Sequence, residues 1–127
     1  MICYLNGDYS DEISIAISPL DRGFTLGDGV FDTMLVVNGE MQYPREHFSR
    51  LSRDAAVLGI NEKIDFLDVA EQLLQRNQLT ERRYVLRTQV TRGIGQRGLA
   101  PPLETNPSIL MRVIEAAAPD LTPVKAI

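Results

Sequence analysis

Two arginines stand in a glycine-rich stretch late in the chain, QVTRGIGQRGLAPP at positions 89–102. Glycines allow backbone amides to approach a ligand, and the planar fork of arginine matches a carboxylate or a phosphate. Arg97 is therefore a candidate for binding a small acidic molecule, and a solvated arginine in a hairpin loop is the alternative. Arg92 ends a predicted strand, which favours a structural role.

The glycines follow the order of a dinucleotide fingerprint, but LAPPLETNP cannot supply the helix that this fingerprint needs next.

A third arginine, Arg50, lies within the predicted helix HFSRLSRDA. It is one position from the apolar residue Leu51, hence about 100° around the helix and at the border of the buried stripe. From that border Arg50 could reach an anion beside a sheet. The alternative is a surface ion pair with Glu46 or Asp54, which stand one helical turn away on either side. Spacing alone leaves both interpretations open.

The other candidates for chemistry have simpler explanations. His47, the only histidine, lies on the first turn of this helix without a serine or cysteine nucleophile signature nearby, so we expect it to pack or cap. Asp28 and Asp32 flank the turn in GDGVFDT, where turn formation and side-chain-to-backbone hydrogen bonds explain them better than a carboxylate pair. Phe31 is expected in the core and Lys125 in solvent.

Composition restricts the class of protein and its partners. The 127 residues are 44% hydrophobic, enough for one core, and 13 basic against 17 acidic residues leave a formal charge of −4. That balance argues against a nucleic-acid or membrane-surface binder. The single cysteine cannot form an internal disulfide, and no Cys/His cluster has the spacing of metal ligands. No run of about eighteen apolar residues occurs, which is the length that a membrane-spanning helix needs. The expected setting is the cytoplasm.

Two helices are predicted from the spacing of apolar residues. The first begins at Pro44 and ends before Gly59, and the second runs from about Asp65 to Gln78. Their core-facing stripes would be Phe48, Leu51, Ala55 and Leu58 in the first and Phe66, Val69, Ala70, Leu73 and Leu74 in the second.

Extended segments account for most of the remaining chain. MICYLNGDYSDE predicts a hairpin that turns at Asn6-Gly7, and VFDTMLVV with EMQY predicts another that turns at Asn38-Gly39. RRYVLRTQVTR alternates apolar and polar residues, and PSILMRVIEAA is its expected partner across a long loop. ISIAI should continue in extended form, and SPLDRGFTLGDG should be irregular. Four to six mostly antiparallel strands with two helices predict an α+β fold, a two-layer sandwich.

Three motifs occur in a characteristic order: DRGFTLGDGVFDTMLVVNGEM, HFSRLSRDAAVLGI and VLRTQVTRGIGQRG. Together they resemble the N-terminal domain of the class IV aminotransferases, the fold-type IV enzymes that use pyridoxal 5'-phosphate. This family includes branched-chain aminotransferases, D-amino-acid aminotransferases and 4-amino-4-deoxychorismate lyase. The resemblance extends from around Asn6 to the end of the chain.

The resemblance implies roles for the candidate residues. Arg50 would hold the cofactor phosphate with His47 as its structural neighbour, and Arg97 would reach the substrate carboxylate in an active site often shared across a dimer interface. The two guanidinium groups should then converge on one cleft from one side of the sheet. Phe31 takes the place of a substrate-contacting tyrosine of the D-amino-acid aminotransferases, and without a hydroxyl it can only pack against a ligand. RGIGQRG and the start at YLNGD are most similar to the lyase, which is the favoured member.

Members of this family are much longer than this chain, and their Schiff-base lysine lies in a second domain. Residues 1–120 would be the small N-terminal domain and 121–127 the start of an interdomain segment, with the catalytic-lysine domain absent. Lys125 comes too early for that lysine and lacks the motif that follows it. The 127-residue chain is therefore expected to be inactive and to bind the cofactor weakly at most, through Arg50.

Several functions remain open at this point. The favoured one is the lyase that forms 4-aminobenzoate and pyruvate, a homodimer acting on a small amino-acid-like carboxylate. A branched-chain or D-amino-acid aminotransferase is the alternative within the family. Outside it, the chain is a non-catalytic module that binds small acids or mediates dimerisation.

Overall fold

A six-stranded antiparallel sheet with two long helices on one face forms the body of the protein. The computed structural model describes residues 1–80, 82–96, 98–102 and 104–126. The strands are β1 (Ile2–Leu5), β2 (Asp8–Asp11), β3 (Gly29–Val37), β4 (Glu40–Met41), β5 (Arg83–Thr91) and β6 (Ser108–Glu115), in the spatial order β2-β1-β6-β5-β3-β4. The helices are α1 (Arg22–Leu26), α2 (Pro44–Val57) and α3 (Phe66–Asn77), and a 3-10 turn spans Glu12–Ser14. The predicted α+β fold is confirmed.

The two long helices lie where the apolar spacing predicts them. Pro44 occupies the first turn of α2, and the Asp65 side chain caps α3 by accepting a hydrogen bond from the Asp68 amide at 3.1 Å. Their buried stripes meet at Phe48 and Phe66, whose rings stack with centroids 5.6 Å apart. The buried residues of the two helices are Phe48, Leu51 and Ala55 in α2 and Phe66, Ala70, Leu73 and Leu74 in α3. Leu58, predicted in the first stripe, follows the end of α2 and is exposed.

Alternation along the strands separates two faces of the sheet. In β5, Tyr84, Leu86, Thr88 and Val90 are buried beneath the helices, and the residues between them lie on the opposite face. The helices contact this sheet through α2 on β3 and α3 on β1. We call the side of the sheet away from α2 and α3 the open face. Of the described helices, the short α1 contacts this face at the end of β5, where Gly23 packs against the side chain of Thr91.

Two expectations for the segment before β3 are wrong. ISIAI does not continue the second strand, because β2 ends at Asp11 and the chain enters the 3-10 turn. SPLDRGFTLGDG is not wholly irregular but contains α1. The Asp21 side chain accepts from the Gly23 amide at 2.8 Å and so caps this short helix. Five residues are too few to give a helical period, so only the cap could have indicated α1 in the sequence.

Candidate active site

Arg50 and His47 share one buried carboxylate at the junction of α2 and β3. Asp32 is 6% exposed and faces the helices from β3. Arg50 Nε donates to Asp32 Oδ1 at 3.1 Å, and Arg50 Nη2 donates to the same oxygen. His47 Nδ1 lies 2.7 Å from Asp32 Oδ2 and carries the proton, because the carboxylate only accepts. The partner of Arg50 is therefore Asp32, and neither Glu46 nor Asp54.

The role expected of Asp32 in a turn is wrong for a structural reason. Residue 32 lies inside a nine-residue strand, where α2 brings two basic side chains of successive turns against it. The ion pair fixes the guanidinium of Arg50 along one edge, and the hydrogen bond from Arg50 to Asp32 raises the pKa of Arg50. The Arg50 side chain remains 52% exposed, and Nη1 donates to no acceptor among the described residues. One edge of the guanidinium can thus meet an anion.

Phe31 and Arg87 form a stacked pair on the open face. Phe31 is 60% exposed, and the Arg87 guanidinium carbon lies 4.0 Å from the centroid of its ring. The expectation that Phe31 lies in the core is therefore wrong. Because strand residues alternate, the position of Asp32 under the helices places Phe31 on the opposite face.

Arg87 is a cation that the sequence-based reasoning missed. In the register of the sheet it is opposite Thr33 of β3 and Arg112 of β6. Arg112 Nη2 contacts Glu12 Oε2 at 3.3 Å, whereas Arg87 forms no ion pair with any described residue. The open face therefore carries an unpaired positive charge beside an aromatic ring. Only the pairing of β3 with β5 reveals this neighbourhood, and no local motif marks it.

A small cavity adjoins this pair. Its volume is about 180 Å³. It lies where the glycine-rich starts of α1 and β3 meet the end of β5, and its lining residues are Gly23, Gly27, Gly29, Val30, Phe31, Gln89, Val90 and Thr91.

The glycine-rich stretch is anchored by ion pairs of its own. Arg92 Nε donates to Asp28 Oδ2 at 2.7 Å, and Arg22 Nε donates to the same oxygen at 2.9 Å. All three side chains are largely buried. The hydrogen bond from Arg92 lowers the pKa of Asp28, and the Arg22 hydrogen bond lowers it further, against the effect of burial. The structural role expected of Arg92 is confirmed, and the turn-forming role expected of Asp28 is incomplete because its carboxylate binds two arginines.

Two glycines of this stretch, Gly93 and Gly95, make room for the protein's own chain. A Cβ at Gly93 would lie 2.0 Å from the Asn106 carbonyl oxygen, and one at Gly95 would lie 2.5 Å from Arg22 Cδ. Internal packing therefore explains these two glycines.

The expected convergence of Arg50 and Arg97 stays a prediction. Arg97 lies outside the described residues. Of the other predicted site residues, Arg50 lies on the helix side of β3 and Phe31 on the open face.

Comparison with known proteins identifies the family. The family model "Amino-transferase class IV" matches residues 29–127. The chain belongs to the class IV aminotransferases. A putative branched-chain-amino-acid aminotransferase of Methanocaldococcus jannaschii is 37% identical over 112 residues, which are 86% of this chain and 38% of that protein. The aminodeoxychorismate lyase of Bacillus subtilis is 30% identical over 110 residues, 84% of this chain and 38% of that protein.

Solved structures of two aminotransferases and a lyase share the fold. The branched-chain amino acid aminotransferase of Escherichia coli has a TM-score of 0.82 at 17% identity, over 92% of this chain and 40% of that chain. The 4-amino-4-deoxychorismate lyase of Pseudomonas aeruginosa has a TM-score of 0.68 at 30% identity, over 92% and 40%. A hypothetical aminotransferase of Mycobacterium tuberculosis in its PLP-bound form has a TM-score of 0.74 at 22% identity, over 91% and 39%.

This class IV chain spans about two fifths of the length of the curated relatives that it matches, 38% and 39% in two of them. No helix in the described part of the chain has the length and apolar character needed to cross a membrane.

Proposed function

We propose that this chain is the N-terminal part of a pyridoxal 5'-phosphate-dependent enzyme that acts on an amino-acid-like carboxylate, of the 4-amino-4-deoxychorismate lyase type. The observation that carries the proposal is the pair of Phe31 and Arg87 on the open face. An exposed ring beside an unpaired guanidinium suits a substrate that joins a ring to a carboxylate. The 30% identity to two lyases supports this choice.

The chain offers one group that fits the cofactor phosphate. Arg50 is held along one edge by Asp32 and is half-exposed along the other, so it can donate to a phosphate oxygen without leaving its carboxylate partner. Asp32 neutralises its formal charge, so binding would rest on directed hydrogen bonds more than on net charge. When bound, the cofactor withdraws electrons from the substrate Cα.

The substrate carboxylate would meet arginines of the strand and the loop. Arg87 on the open face is one candidate, and Arg97 is the further candidate from the sequence. Phe31 would pack against the substrate and offer it no hydrogen bond. That lack of a hydroxyl makes the D-amino-acid aminotransferase the weaker alternative.

The remaining proposals concern the complete protein. We propose residues 1–120 as the small domain, 121–127 as the start of an interdomain segment, and a cytoplasmic homodimer as the working form. Lys125 receives no role. The proton-transferring lysine would come from a second domain, so the 127-residue chain alone should convert no substrate.

A branched-chain aminotransferase is the second candidate. The 37% identity to the putative enzyme of Methanocaldococcus jannaschii favours it, and an arginine on the open face suits its carboxylate substrates equally well. A non-catalytic module that binds small acids, or a dimerisation module, would bind no cofactor.

One assay separates these functions. The complete protein, supplied with pyridoxal phosphate, is given 4-amino-4-deoxychorismate, and 4-aminobenzoate is measured by its fluorescence. Parallel reactions contain L-leucine or D-alanine with 2-oxoglutarate. Formation of 4-aminobenzoate supports the lyase. Transamination of L-leucine without formation of 4-aminobenzoate would support the branched-chain aminotransferase instead of the lyase. A protein that neither binds pyridoxal phosphate nor converts any of these substrates would be a non-catalytic module.

A further inference from the structure

Arg22 is buried, yet neither the proposed cofactor site nor the proposed substrate site uses it. It is 4% exposed and begins α1. Its Nε donates to Asp28 at 2.9 Å, and its two terminal nitrogens donate to backbone carbonyls of the glycine-rich stretch. Nη1 donates to the oxygens of Gly98 at 3.0 Å and Ala100 at 3.4 Å, and Nη2 donates to the oxygen of Leu99 at 3.1 Å.

Charge explains why these carbonyls matter. Arg22 and Arg92 share Asp28, which is the only carboxylate within salt-bridge distance of either arginine in the described part of the chain. One positive charge is thus left without a carboxylate in a largely buried place. A buried guanidinium needs acceptors on its remaining N–H groups, and the carbonyls of 98–100 provide them. Arg92 meets the same need elsewhere, since its Nη2 donates to the Leu58 oxygen at 2.7 Å.

Backbone bonds hold the other end of the same stretch. The Arg22 amide donates to the Gly93 oxygen at 2.8 Å, and the Gly95 amide donates to the Leu20 oxygen at 3.2 Å. Gly95 packs against the aliphatic stem of Arg22, where any larger residue would collide. Residues 93–95 and 98–100 are therefore both attached to the segment around Arg22, and Arg97 stands between them in the sequence.

We propose that Arg22 is a positioning residue: it holds residues 93–95 and 98–100, which flank Arg97 in the sequence, and thereby supports binding of the substrate carboxylate. The proposal rests on the proposed function, because it takes Arg97 as a carboxylate-binding residue. Arg22 itself touches no substrate. It acts through the backbone of residues 93–95 and 98–100, so its loss should weaken substrate binding and leave the chemical step nearly unchanged.

Arg22→Lys tests this, and Arg92→Lys is its matched control. Lysine keeps the charge near Asp28, but its three N–H bonds start from one nitrogen, so it cannot replace the four contacts that Arg22 makes from three separate nitrogens. The control disturbs the same carboxylate but removes a bond to Leu58 and none to the segment. In the complete protein, hydrogen exchange of peptides covering 93–102 should become about tenfold faster in Arg22→Lys and stay near the wild-type rate in Arg92→Lys. Unchanged hydrogen exchange of peptides from α3 would show that the rest of the fold is intact in both variants.

Gly95→Ala provides a second route should Arg22→Lys fail to fold. The added methyl group must displace the Arg22 stem or the segment, so the same peptides should exchange faster. Unchanged exchange of 93–102 in a folded Arg22→Lys or Gly95→Ala protein overturns the proposal.

Kinetics separate positioning from a merely structural role. With 4-amino-4-deoxychorismate as substrate, Arg22→Lys should raise KM about tenfold and change kcat by less than about threefold, and Arg92→Lys should change neither as strongly. Faster exchange with an unchanged KM would also overturn the positioning role. If the wild-type protein converts no substrate, the proposed function fails, and the exchange measurement still decides whether Arg22 holds the segment.

Discussion

Arg50 donates two hydrogen bonds to one oxygen of Asp32, and this contact joins α2 to β3 at the candidate active site. The other oxygen of Asp32 binds His47, so a single buried carboxylate orients two basic side chains. An exposed arginine ordinarily samples many rotamers, and the loss of that freedom opposes binding. Here the protein has already fixed the guanidinium along one edge, so a phosphate that meets the other edge encounters a preorganised donor.

Arg50→Ala should weaken binding of pyridoxal phosphate to the complete protein by about tenfold to a hundredfold, because one charge-assisted contact to the phosphate is lost. Absorbance titration of the protein with the cofactor measures the change. Arg53→Ala is the control, since Arg53 lies on the same helix, is 71% exposed and has only a 3.6 Å contact to Asp54. Equal affinity in the two variants would contradict the assignment of Arg50.

Asp32→Ala should reduce both stability and cofactor affinity. Removal of the buried carboxylate leaves His47 without its acceptor and should cost about 1 to 3 kcal/mol in the free energy of unfolding, measured with urea. Cofactor affinity should also fall although Arg50 is intact, since the guanidinium is no longer held. Asp54→Ala, which removes a half-exposed partner of Arg53, should change neither quantity appreciably. An unchanged cofactor affinity in the Asp32→Ala variant would show that Arg50 can bind the phosphate without being oriented by Asp32.

The fold was predictable because its elements carry strong local signals. Pro44 and Asp65 mark the starts of the long helices, and strict alternation along β5 separates the buried from the open side. The short helix α1 lacked such a signal, since a helix of this length has no period.

The candidate site was only partly predictable because its decisive contacts join residues distant in sequence. The helical spacing around Arg50 suggests partners at 46 and 54, whereas packing of α2 on β3 provides Asp32. Whether Phe31 is buried depends on which face of β3 the helices cover. The stacking of Arg87 on Phe31 emerges only once β3 and β5 are paired. Two of the glycines that suggested a ligand cradle, Gly93 and Gly95, are instead explained by the close approach of Asn106 and Arg22.

Arg87→Gln should raise the KM of the complete enzyme for its carboxylate substrate about tenfold, because a desolvated guanidinium contact is lost. Its stability should change little, since Arg87 has no ion pair in the described structure. Arg112→Gln is the matched control, because Arg112 lies opposite Arg87 on the same face but is paired with Glu12. Steady-state kinetics and thermal unfolding of both variants distinguish the two arginines. A larger rise in KM for Arg112→Gln than for Arg87→Gln would contradict the proposal and would indicate that the substrate binds at Arg112 instead.

Acid should destabilise the protein through Asp28, whose pKa is held below its ordinary value of 3.8 by Arg92 and Arg22. A carboxyl group with a lower pKa in the folded state binds fewer protons there than in the unfolded state, so its contribution to stability is complete above the unfolded pKa. That contribution should disappear as the pH falls from about 4 through the folded pKa, since protonation ends both ion pairs. Asp28→Asn should therefore be less stable than the wild type at neutral pH, and the difference in free energy of unfolding should shrink as the pH falls through the folded pKa of Asp28. Urea unfolding across this range measures the difference, and Glu115→Gln, which removes the exposed pair with Arg82, is the control. A difference that stays constant from neutral pH to the acid limit would mean that the charge of Asp28 does not stabilise the fold.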